Sequence, residues 1–288
     1  MEMQEFVVSF ALPLLRKRKG ASVCEIGSRF GGSANLLATL QDGAVTIIDP
    51  CLDCDLSEEF KGNPRVTVKK DISLSVLPHM NDPFDLILID GDHNWYTVYN
   101  ELKLISERKL LKPRGMIFLH DVEWPWGRRD LYYQPETIPA EYRHEWQQKG
   151  IARGKKELLD AGGLFPSYCK ATREGGPRNG VLTAIDDFLE EHKGRYAFFR
   201  VTDGVGLGII YRKVSFKDDF EFLPLQVKGI FHNVINWPKV FVRNRFPGLF
   251  SSAKSFLRKA NLRNVILTAM VFVFFAATGF MIIRAFTR

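Results

Sequence analysis

The C-terminal part of the sequence lacks acidic residues entirely. From Phe222 to Arg288 there are ten Lys and Arg residues and no Asp or Glu, whereas the preceding 221 residues hold 30 basic and 33 acidic groups. The net charge of +7 therefore comes from the C-terminal part and not from the body of the chain. A body without a basic excess is not typical of nucleic-acid binding, so we expect no nucleic-acid partner.

Cysteine is scarce, and internal repeats and low-complexity segments are absent. Four cysteines in 288 residues exclude a disulfide scaffold and are typical of a reducing compartment. Cys51 and Cys54 have the spacing of a redox or zinc pair, but the sequence offers no second pair beside them. With 45% hydrophobic and 25% charged residues, the chain is globular rather than disordered.

The sequence also lacks an export signal at its N-terminus. The apolar run Phe6–Leu15 follows Glu2 and Glu5 and precedes the basic residues 16–19. A signal peptide has the opposite order of charge and ends in a small-residue cleavage site. We therefore expect Phe6–Leu15 to be a helix packed on the body, and the body to be cytoplasmic.

The longest apolar run is Val265–Ile283 near the C-terminus. Its 19 residues rise about 28 Å as a helix, close to the roughly 30 Å hydrocarbon core of a bilayer. We expect a single-pass C-terminal anchor, with a transmembrane helix at 264–284. Residues 216–263 combine apolar and basic faces, which predicts a membrane-proximal region on anionic lipid. The alternatives are a buried core helix and helices that pack on the body.

Short apolar runs alternate with helical stretches in residues 1–215, the expected catalytic domain. The predicted strands are Ser22–Ile26, Val45–Ile48, Val66–Lys69, Phe84–Ile89, Met116–Leu119, Tyr196–Val201 and Leu207–Arg212. The predicted helices are Ser33–Leu40, Trp95–Leu110 and one at Ala184. This alternation predicts an α/β fold with a doubly wound, Rossmann-like, mostly parallel sheet and an antiparallel last strand. An insertion at about 122–180 is too long for a simple connection and is expected to form a wall or lid.

Glycines and acids mark the ends of the first three predicted strands. The first turn has Gly27 and Gly31 in a G-x-x-x-G-G spacing, not the G-x-G-x-x-G of a dinucleotide site, which disfavours a nicotinamide oxidoreductase. Glycines let the backbone approach a ligand, and the following helix N-terminus favours negative charge. Asp49 is placed for ribose hydroxyls and Asp71 for an adenine edge. Together these residues outline a nucleoside site.

Acids and histidines follow the next two predicted strands. Asp90, Asp92 and His93 follow Phe84–Ile89, and His120-Asp121 ends the next strand. Parallel neighbours end at the same sheet edge, so these groups are expected to meet. We predict that Asp90 and Asp121, joined by His120 or Asp92, hold Mg²⁺ or another divalent cation, and that His93 is a base. The structural alternative is a helix-capping Asp92 and a hydrogen-bonded His120.

The runs EIGSRFGGS, IIDP, FDLILIDGDHNWYTVYNEL and LLKPRGMIFLHDV carry a family resemblance. They resemble class I S-adenosylmethionine (SAM)-dependent methyltransferases, above all the branch with macrocin and mycinamicin sugar O-methyltransferases. The resemblance covers about Gly20 to Val122. It implies cofactor contacts by Glu25, Gly27, Gly31, Asp49 and Asp71, with Asp90 at the same edge. It also implies metal ligation by Asp90 and Asp121, with His93 as general base. Where many members end strand five with two acids, this chain has His120-Asp121.

The expected activity is divalent-metal-assisted O-methylation of a sugar hydroxyl on a membrane-associated glycan or glycolipid. Aromatic residues of the insertion are expected to stack on sugar faces, and Arg128 and Arg129 to bind an anion. The alternative is that these aromatic residues pack within the fold. The alternatives are a lipid or quinone hydroxyl as acceptor, or a catalytically silent, membrane-tethered nucleoside-binding protein.

Overall fold

A computed structural model describes residues 2–52 and 54–213, together with residues 226, 228, 229, 232 and 233. The chain divides into two units, Met1–Leu225 and Gln226–Arg288. No helix among the described residues combines the length and the apolar character needed to cross a bilayer. The predicted transmembrane helix at 264–284 and most of the region 216–263 lie outside the described residues, so both stay predictions.

The first unit is built on a seven-stranded sheet and a small three-stranded sheet. In chain order the strands are β1 (Val23–Ile26), β2 (Val45–Ile48), β3 (Val66–Lys69), β4 (Phe84–Ile89), β5 (Leu111–His120), β6 (Leu131–Tyr132), β7 (Trp146–Gln147), β8 (Cys169–Ala171), β9 (Tyr196–Val201) and β10 (Leu207–Arg212). The main sheet has the order β3-β2-β1-β4-β5-β10-β9, and the small sheet β6-β8-β7. Strands β1 to β5 are parallel, and β10 is antiparallel to both of its neighbours. The predicted Rossmann-like sheet with an antiparallel last strand is confirmed.

Helices cover both faces of the main sheet. They are α1 (Met3–Phe6), a π-helical turn (Val7–Ala11), α2 (Leu12–Leu15), α3 (Gly32–Leu40), α4 (Leu56–Glu59), α5 (Ser73–Val76), α6 (Trp95–Glu107) and α7 (Val181–Glu191), with 3₁₀ turns at Leu77–His79, Pro135–Thr137 and Ala140–Tyr142. Phe10 and Leu37 pack on one face, whereas Leu102 and Phe188 pack on the other. Because both faces are buried, β4 is apolar throughout except for Asp85.

The N-terminal helical segments pack on the body, as predicted. Phe6, Val7, Phe10 and Ala11 have no exposed surface and belong to the same core cluster as the strands beneath them. The segment therefore belongs to the fold of the first unit.

The predicted boundaries differ most from the structure between α6 and β5. Helix α6 ends at Glu107 rather than Leu110, and β5 begins at Leu111 rather than Met116. The predicted helix ends at Leu110 and the predicted strand begins at Met116, so residues 111–115, which contain a proline and a glycine, were expected to connect the two. Instead, Leu111 already pairs with Phe84, and the register shifts between Phe84 and Leu86. A local irregularity therefore lets this stretch remain in the strand.

Candidate active site

Sheet register brings four strand ends to one point. Ile26 at the end of β1 pairs with Ile48 of β2 on one side and with Ile89 of β4 on the other. Ile89 in turn pairs with Leu119 of β5. The residues that follow these four strand positions carry the glycine loop and the predicted acids and histidines. The fold therefore gathers them at the carboxyl edge of the sheet, where ligands of open α/β sheets bind.

Two glycines shape the loop between β1 and α3. Gly27 has φ of +77° and Gly31 has φ of +73°, a left-handed conformation that favours glycine. A Cβ on Gly27 would lie 2.2 Å from the Cα of Gly91, in the loop after β4. The glycine loop and the Asp90 loop therefore touch backbone to backbone, and only glycine fits at position 27.

Glu25 lies beneath the glycine loop and has no exposed surface. Its carboxylate accepts hydrogen bonds from the hydroxyls of Ser28, at 2.8 Å, and Ser33. Burial is the main reason that the pKa of Glu25 is raised to about 7. The structure thus places Glu25 where it braces the loop and the start of α3.

Asp49 follows β2 and organises the same loop from the other side. One oxygen accepts the backbone N–H of Ser28 at 2.7 Å and of Arg29 at 2.9 Å. The other accepts the N–H of Cys51 at 2.6 Å. Asp71 lies after β3, is exposed, and accepts the N–H of Ile72 at 2.7 Å. Both acids lie at the edge that the sequence predicted for a nucleoside.

Asp90, His93, His120 and Asp121 form one compact cluster. Nδ1 of His120 lies 3.0 Å from both Asp90 Oδ1 and Asp121 Oδ2. Nε2 of His93 lies 2.8 Å from Asp121 Oδ2 and 3.5 Å from Asp90 Oδ1. One ligand atom from each of the four residues lies within 4.8 Å of the others. Such a set of groups can hold a metal ion.

Charge in the cluster is balanced between its imidazoles and its carboxylates. Burial by itself lowers the pKa of His93, but Asp121 and Asp90 raise it to about 10. Burial likewise opposes the charge on His120, and Asp90 and Asp121 raise its pKa to about 11. The two histidines hold the pKa of Asp121 well below its usual range, although burial acts in the opposite direction. The carboxylates are thus arranged to bind positive charge.

The chemistry of the donor set fits a divalent cation. Neither ring nitrogen of His93 has a partner in hydrogen-bond geometry, although the side chain is buried. Asp90 and Asp121 together with the imidazole of His120 offer mixed oxygen and nitrogen donors, which suit a transition ion such as Mn²⁺ better than Mg²⁺.

The structure does not bring Asp92 into the cluster. Its carboxylate accepts hydrogen bonds from Asn94 Nδ2 at 2.6 Å, from Thr97 Oγ1 at 2.8 Å and from the N–H of His93 at 3.2 Å. Asp92 thus fixes the first turn of α6, and His93 takes the fourth position in the cluster. The sequence analysis gave Asp92 as a possible ligand and His93 as a base, and of the two it is His93 that lies in the cluster.

Asp130 of the insertion forms hydrogen bonds with backbone groups next to the cluster. Its Oδ1 accepts the N–H of Trp95 at 2.7 Å and of Gly180 at 2.6 Å, and its Oδ2 accepts the hydroxyl of Tyr132 at 2.8 Å. The N–H of Leu131 donates to the carbonyl of His93 at 3.1 Å. Burial is the main reason that the pKa of Asp130 is raised to about 6. The insertion therefore fixes the backbone that carries His93.

The prediction that Arg129 binds an anion is wrong, whereas the prediction for Arg128, whose side chain is 43% exposed, stays a prediction. Arg129 has no exposed surface, and its guanidinium donates to the carbonyls of Ala171 and Lys156, both at 2.5 Å. Arg128 forms an ion pair with Asp186 at 2.6 Å. Both cations already have partners within the fold, which the sequence could not reveal.

Three neighbours of the site were missed by sequence reasoning. The ring of Phe6 lies edge-on to His120 with centroids 6.0 Å apart. Phe165 and Tyr168, in the insertion, are exposed and lie in contact with each other. No spacing in the sequence connects these residues to β4 or β5, because their proximity results from the tertiary fold.

Residues 24–122 match a family model described as a methyltransferase domain. No curated protein matches the chain. Similar solved structures are the methyltransferase PaMTH1 of Podospora anserina with bound S-adenosylhomocysteine (SAH), an O-methyltransferase of Bacillus cereus in complex with SAH, and the O-methyltransferase TomG of Streptomyces achromogenes, involved in tomaymycin synthesis, in complex with SAM. Their sequence identities are 16%, 20% and 17%, and their TM-scores are 0.45, 0.42 and 0.40. Each alignment covers 70% of this chain and 76%, 79% and 78% of the respective structure.

The family match extends from within β1 to just beyond the end of β5, and it includes the glycine loop and the four clustered residues. Residues 24–122 of this chain are thus a methyltransferase domain, which confirms the class of enzyme predicted from the sequence.

Proposed function

We propose that the chain is a SAM-dependent O-methyltransferase assisted by a divalent cation, acting on a sugar hydroxyl of a membrane-associated glycan or glycolipid. The observation that carries the proposal is the cluster of Asp90, His93, His120 and Asp121 in direct continuity with the glycine loop. The methyltransferase-domain match supplies the reaction class. The cluster supplies the means to bind and deprotonate a hydroxyl.

The glycine loop and the acids beside it support SAM as the methyl donor. Gly27 and Gly31 expose backbone at the N-terminus of α3, where a ligand can approach without meeting a Cβ. Asp49 accepts three backbone N–H groups, two of them at Oδ2, and Oδ1 retains acceptor capacity for a ribose hydroxyl. Asp71 is exposed at the neighbouring strand end and is proposed to face the adenine.

Asp90, His120 and Asp121 are proposed to hold the cation. A bound cation lowers the pKa of an acceptor hydroxyl and stabilises the oxyanion. The three side chains are already directed to one place, since His120 Nδ1 lies 3.0 Å from an oxygen of each carboxylate. Phe6 packs edge-on against the His120 ring and helps to keep its orientation.

His93 is proposed to accept the proton of the acceptor hydroxyl. It is buried, and its Nε2 lies 2.8 Å from Asp121 and 3.5 Å from Asp90. A cation held by these two carboxylates would offset the negative charge that raises the pKa of His93, and would so leave the imidazole neutral and able to take a proton. The hydrogen bond from Leu131 to the His93 carbonyl and the bonds to Asp130 fix the backbone that carries it. Such positioning contributes to lowering the barrier of a displacement that requires aligned atoms.

The proposed acceptor follows from the sequence of the C-terminal part. It rests on the apolar run Val265–Ile283 and on the basic residues before it, which are expected to keep the enzyme at a membrane surface. An enzyme held there meets membrane-linked substrates at high local concentration. Mass spectrometry of surface glycans from a strain that lacks the protein is expected to show loss of a methylated sugar.

The sharpest test separates the proposed ligand from the proposed base. Mn²⁺ binding is measured by electron paramagnetic resonance, SAH binding by calorimetry, and methyl transfer from SAM with a panel of sugar acceptors. His120→Gln is expected to weaken Mn²⁺ binding at least tenfold. His93→Gln is expected to retain Mn²⁺ binding and lose most of the turnover, because a proton acceptor acts only in the reaction.

Asp160→Asn is the matched control, since Asp160 is a fully exposed carboxylate of the insertion. It is expected to behave like the wild type in all three measurements. Unchanged turnover in both histidine variants, or full activity after complete removal of divalent ions by a chelator, would contradict the proposed mechanism. Absence of SAH binding by the wild type would contradict the cofactor assignment.

A further inference from the structure

Three large aromatic side chains of the insertion form an exposed row. The exposed fractions of Tyr133, Phe165 and Tyr168 are 55%, 39% and 40%. The centroid of Tyr133 lies 6.4 Å from that of Tyr168 with the rings edge to face, and Tyr168 stacks on Phe165 at 5.9 Å. Adjacent exposed rings of this size are unusual on a protein surface and mark a binding site more often than single exposed residues do.

One end of the row lies next to the cluster of Asp90, His93, His120 and Asp121. Tyr133 lies edge to face with His93, with centroids 6.0 Å apart. Tyr168 contacts Tyr133 and Phe165 contacts Tyr168, so the three rings form a chain of contacts that starts at His93. A molecule that covers the row can thus place one end at His93 while the rest lies on aromatic surface.

The row is held in place by buried polar contacts. Tyr132, next to Tyr133, is buried and donates its hydroxyl to Asp130 at 2.8 Å. Lys170 has no exposed surface and donates its ammonium group to the carbonyl of Tyr168. The backbone around Tyr133 and Tyr168 is therefore fixed by groups that do not face solvent, as a binding site requires.

Phe165 is held in an unfavourable backbone conformation. Its φ is +53°, which a bulky L-residue rarely adopts and which costs free energy. Trp126, which is 5% exposed, packs against the Phe165 ring at 5.5 Å. The surrounding fold thus maintains a strained residue whose ring remains partly open to solvent.

We propose that Tyr133, Tyr168 and Phe165 are an acceptor platform, on which the C–H faces of two consecutive sugar rings lie. This inference rests on the proposed function and assigns specificity to that same site. Tyr133 holds the ring whose hydroxyl meets the cluster, and Tyr168 with Phe165 holds the next ring along the glycan. Aromatic rings bind such apolar faces while the sugar hydroxyls stay in water.

The platform predicts that a disaccharide binds better than a monosaccharide. Methyl glycosides of common hexoses and the matching disaccharides serve as probes for the full-length protein with Mn²⁺ and SAH, and binding is followed by saturation-transfer NMR. Phe165→Ala is expected to weaken the binding of disaccharides about 3- to 10-fold and to leave the binding of monosaccharides unchanged. Tyr133→Ala is expected to weaken the binding of both kinds of probe. Tyr133→Phe keeps the ring and is expected to bind both probes like the wild type.

Leu164→Ala is the matched control. Leu164 is 53% exposed next to Phe165, and its contacts to Ile151 are made by the backbone. Calorimetry of SAH binding reports whether each variant is folded. If every aromatic variant that binds SAH also binds the probes like Leu164→Ala, the platform is refuted and the methyltransferase assignment is unaffected. If catechol but no glycoside depends on the platform, the carbohydrate assignment is refuted. If the wild type fails to bind SAH, the proposed function itself fails.

Discussion

Glu101 is a fully buried acid in the middle of α6. One of its oxygens accepts the hydroxyl of Ser73 at 2.5 Å, and the other has no hydrogen-bond partner. Burial is the main reason that its pKa is raised to about 8. Glu101 is therefore largely protonated in the folded protein at neutral pH, while the unfolded chain releases that proton near pH 4.5.

This difference predicts that Glu101→Gln stabilises the protein at neutral and higher pH. Between pH 4.5 and 8 the folded state binds a proton that the unfolded state has lost, so stability falls as pH rises. The loss is about 1.4 kcal/mol for each pH unit in this window. Glutamine has nearly the same shape as glutamate but does not titrate. The free energy of unfolding of the variant is therefore expected to increase relative to that of the wild type as pH rises.

Urea unfolding at several pH values between 4.5 and 8 measures this effect. Glu107→Gln, the same change at an exposed position of α6, is the control and is expected to follow the wild type. A constant difference in stability between Glu101→Gln and the wild type across the window would show that Glu101 does not hold a proton.

Gly27→Ala is expected to distort the loop after β1 and to weaken the binding of SAH. The new Cβ meets backbone of Gly91 at 2.2 Å, and no side-chain movement relieves that contact. Gly62→Ala is the matched control, because Gly62 has φ of +81° but open space around its Cβ. In Gly62→Ala the only cost is that of an alanine in a left-handed backbone conformation, about 1–2 kcal/mol. SAH affinity is expected to fall more than tenfold in Gly27→Ala and to remain in Gly62→Ala; equal affinities would refute the role of the contact.

At the scale of elements, the strands of the main sheet were the most predictable part of the fold. β4 is recognisable as an apolar run because both of its faces are covered, and the runs of β9 and β10 are equally clear. The start of β5 was not predictable, because the pairing of Leu111 with Phe84 is a tertiary contact in a stretch of loop-like composition. β6 and β7, with two residues each, are too short to show a period.

The order of the strands allowed only one part of the candidate site to be predicted, namely which residues follow neighbouring parallel strands. Parallel strands end at one edge, so Asp90 and Asp121 were expected to meet. Whether Asp92 or His93 faces the cluster depends on Asn94 and Thr97, which bind the Asp92 carboxylate. Such competition between side chains is decided by three-dimensional geometry and leaves no signature in spacing.

Asp130→Ala tests how the insertion holds two helices. Asp130 accepts the N–H of Trp95 at the start of α6 and the N–H of Gly180 just before α7. Each unpaired buried N–H costs about 1–3 kcal/mol, so the variant is expected to lose several kcal/mol of stability. Thermal and urea unfolding measure the loss, with Asp160→Ala as the exposed control. A loss no larger than that of Asp160→Ala would contradict the bridging role.

At the scale of the whole molecule, the separation of charge along the chain leads to a prediction about membranes. The full-length protein is expected to resist both high salt and alkaline carbonate, because Val265–Ile283 is long enough to span a bilayer. A chain that ends at Asn264 keeps the basic residues before it and is expected to be released partly by salt, since each contributes roughly 1 kcal/mol at an anionic surface. A chain that ends at Lys213 is expected to bind SAH without membranes. Release of the full-length protein by carbonate would refute the anchor.

The backbone contact between Gly27 and Gly91 joins the two halves of the proposed reaction. A ligand that binds to the loop after β1 is therefore expected to influence the loop that carries Asp90, and the reverse. Thermodynamic linkage requires that the factor by which SAH changes the affinity for Mn²⁺ equals the factor by which Mn²⁺ changes the affinity for SAH. We expect the two ligands to bind cooperatively in either order of addition. Titrations of each ligand in the presence and absence of the other would then show the same ratio of dissociation constants for both.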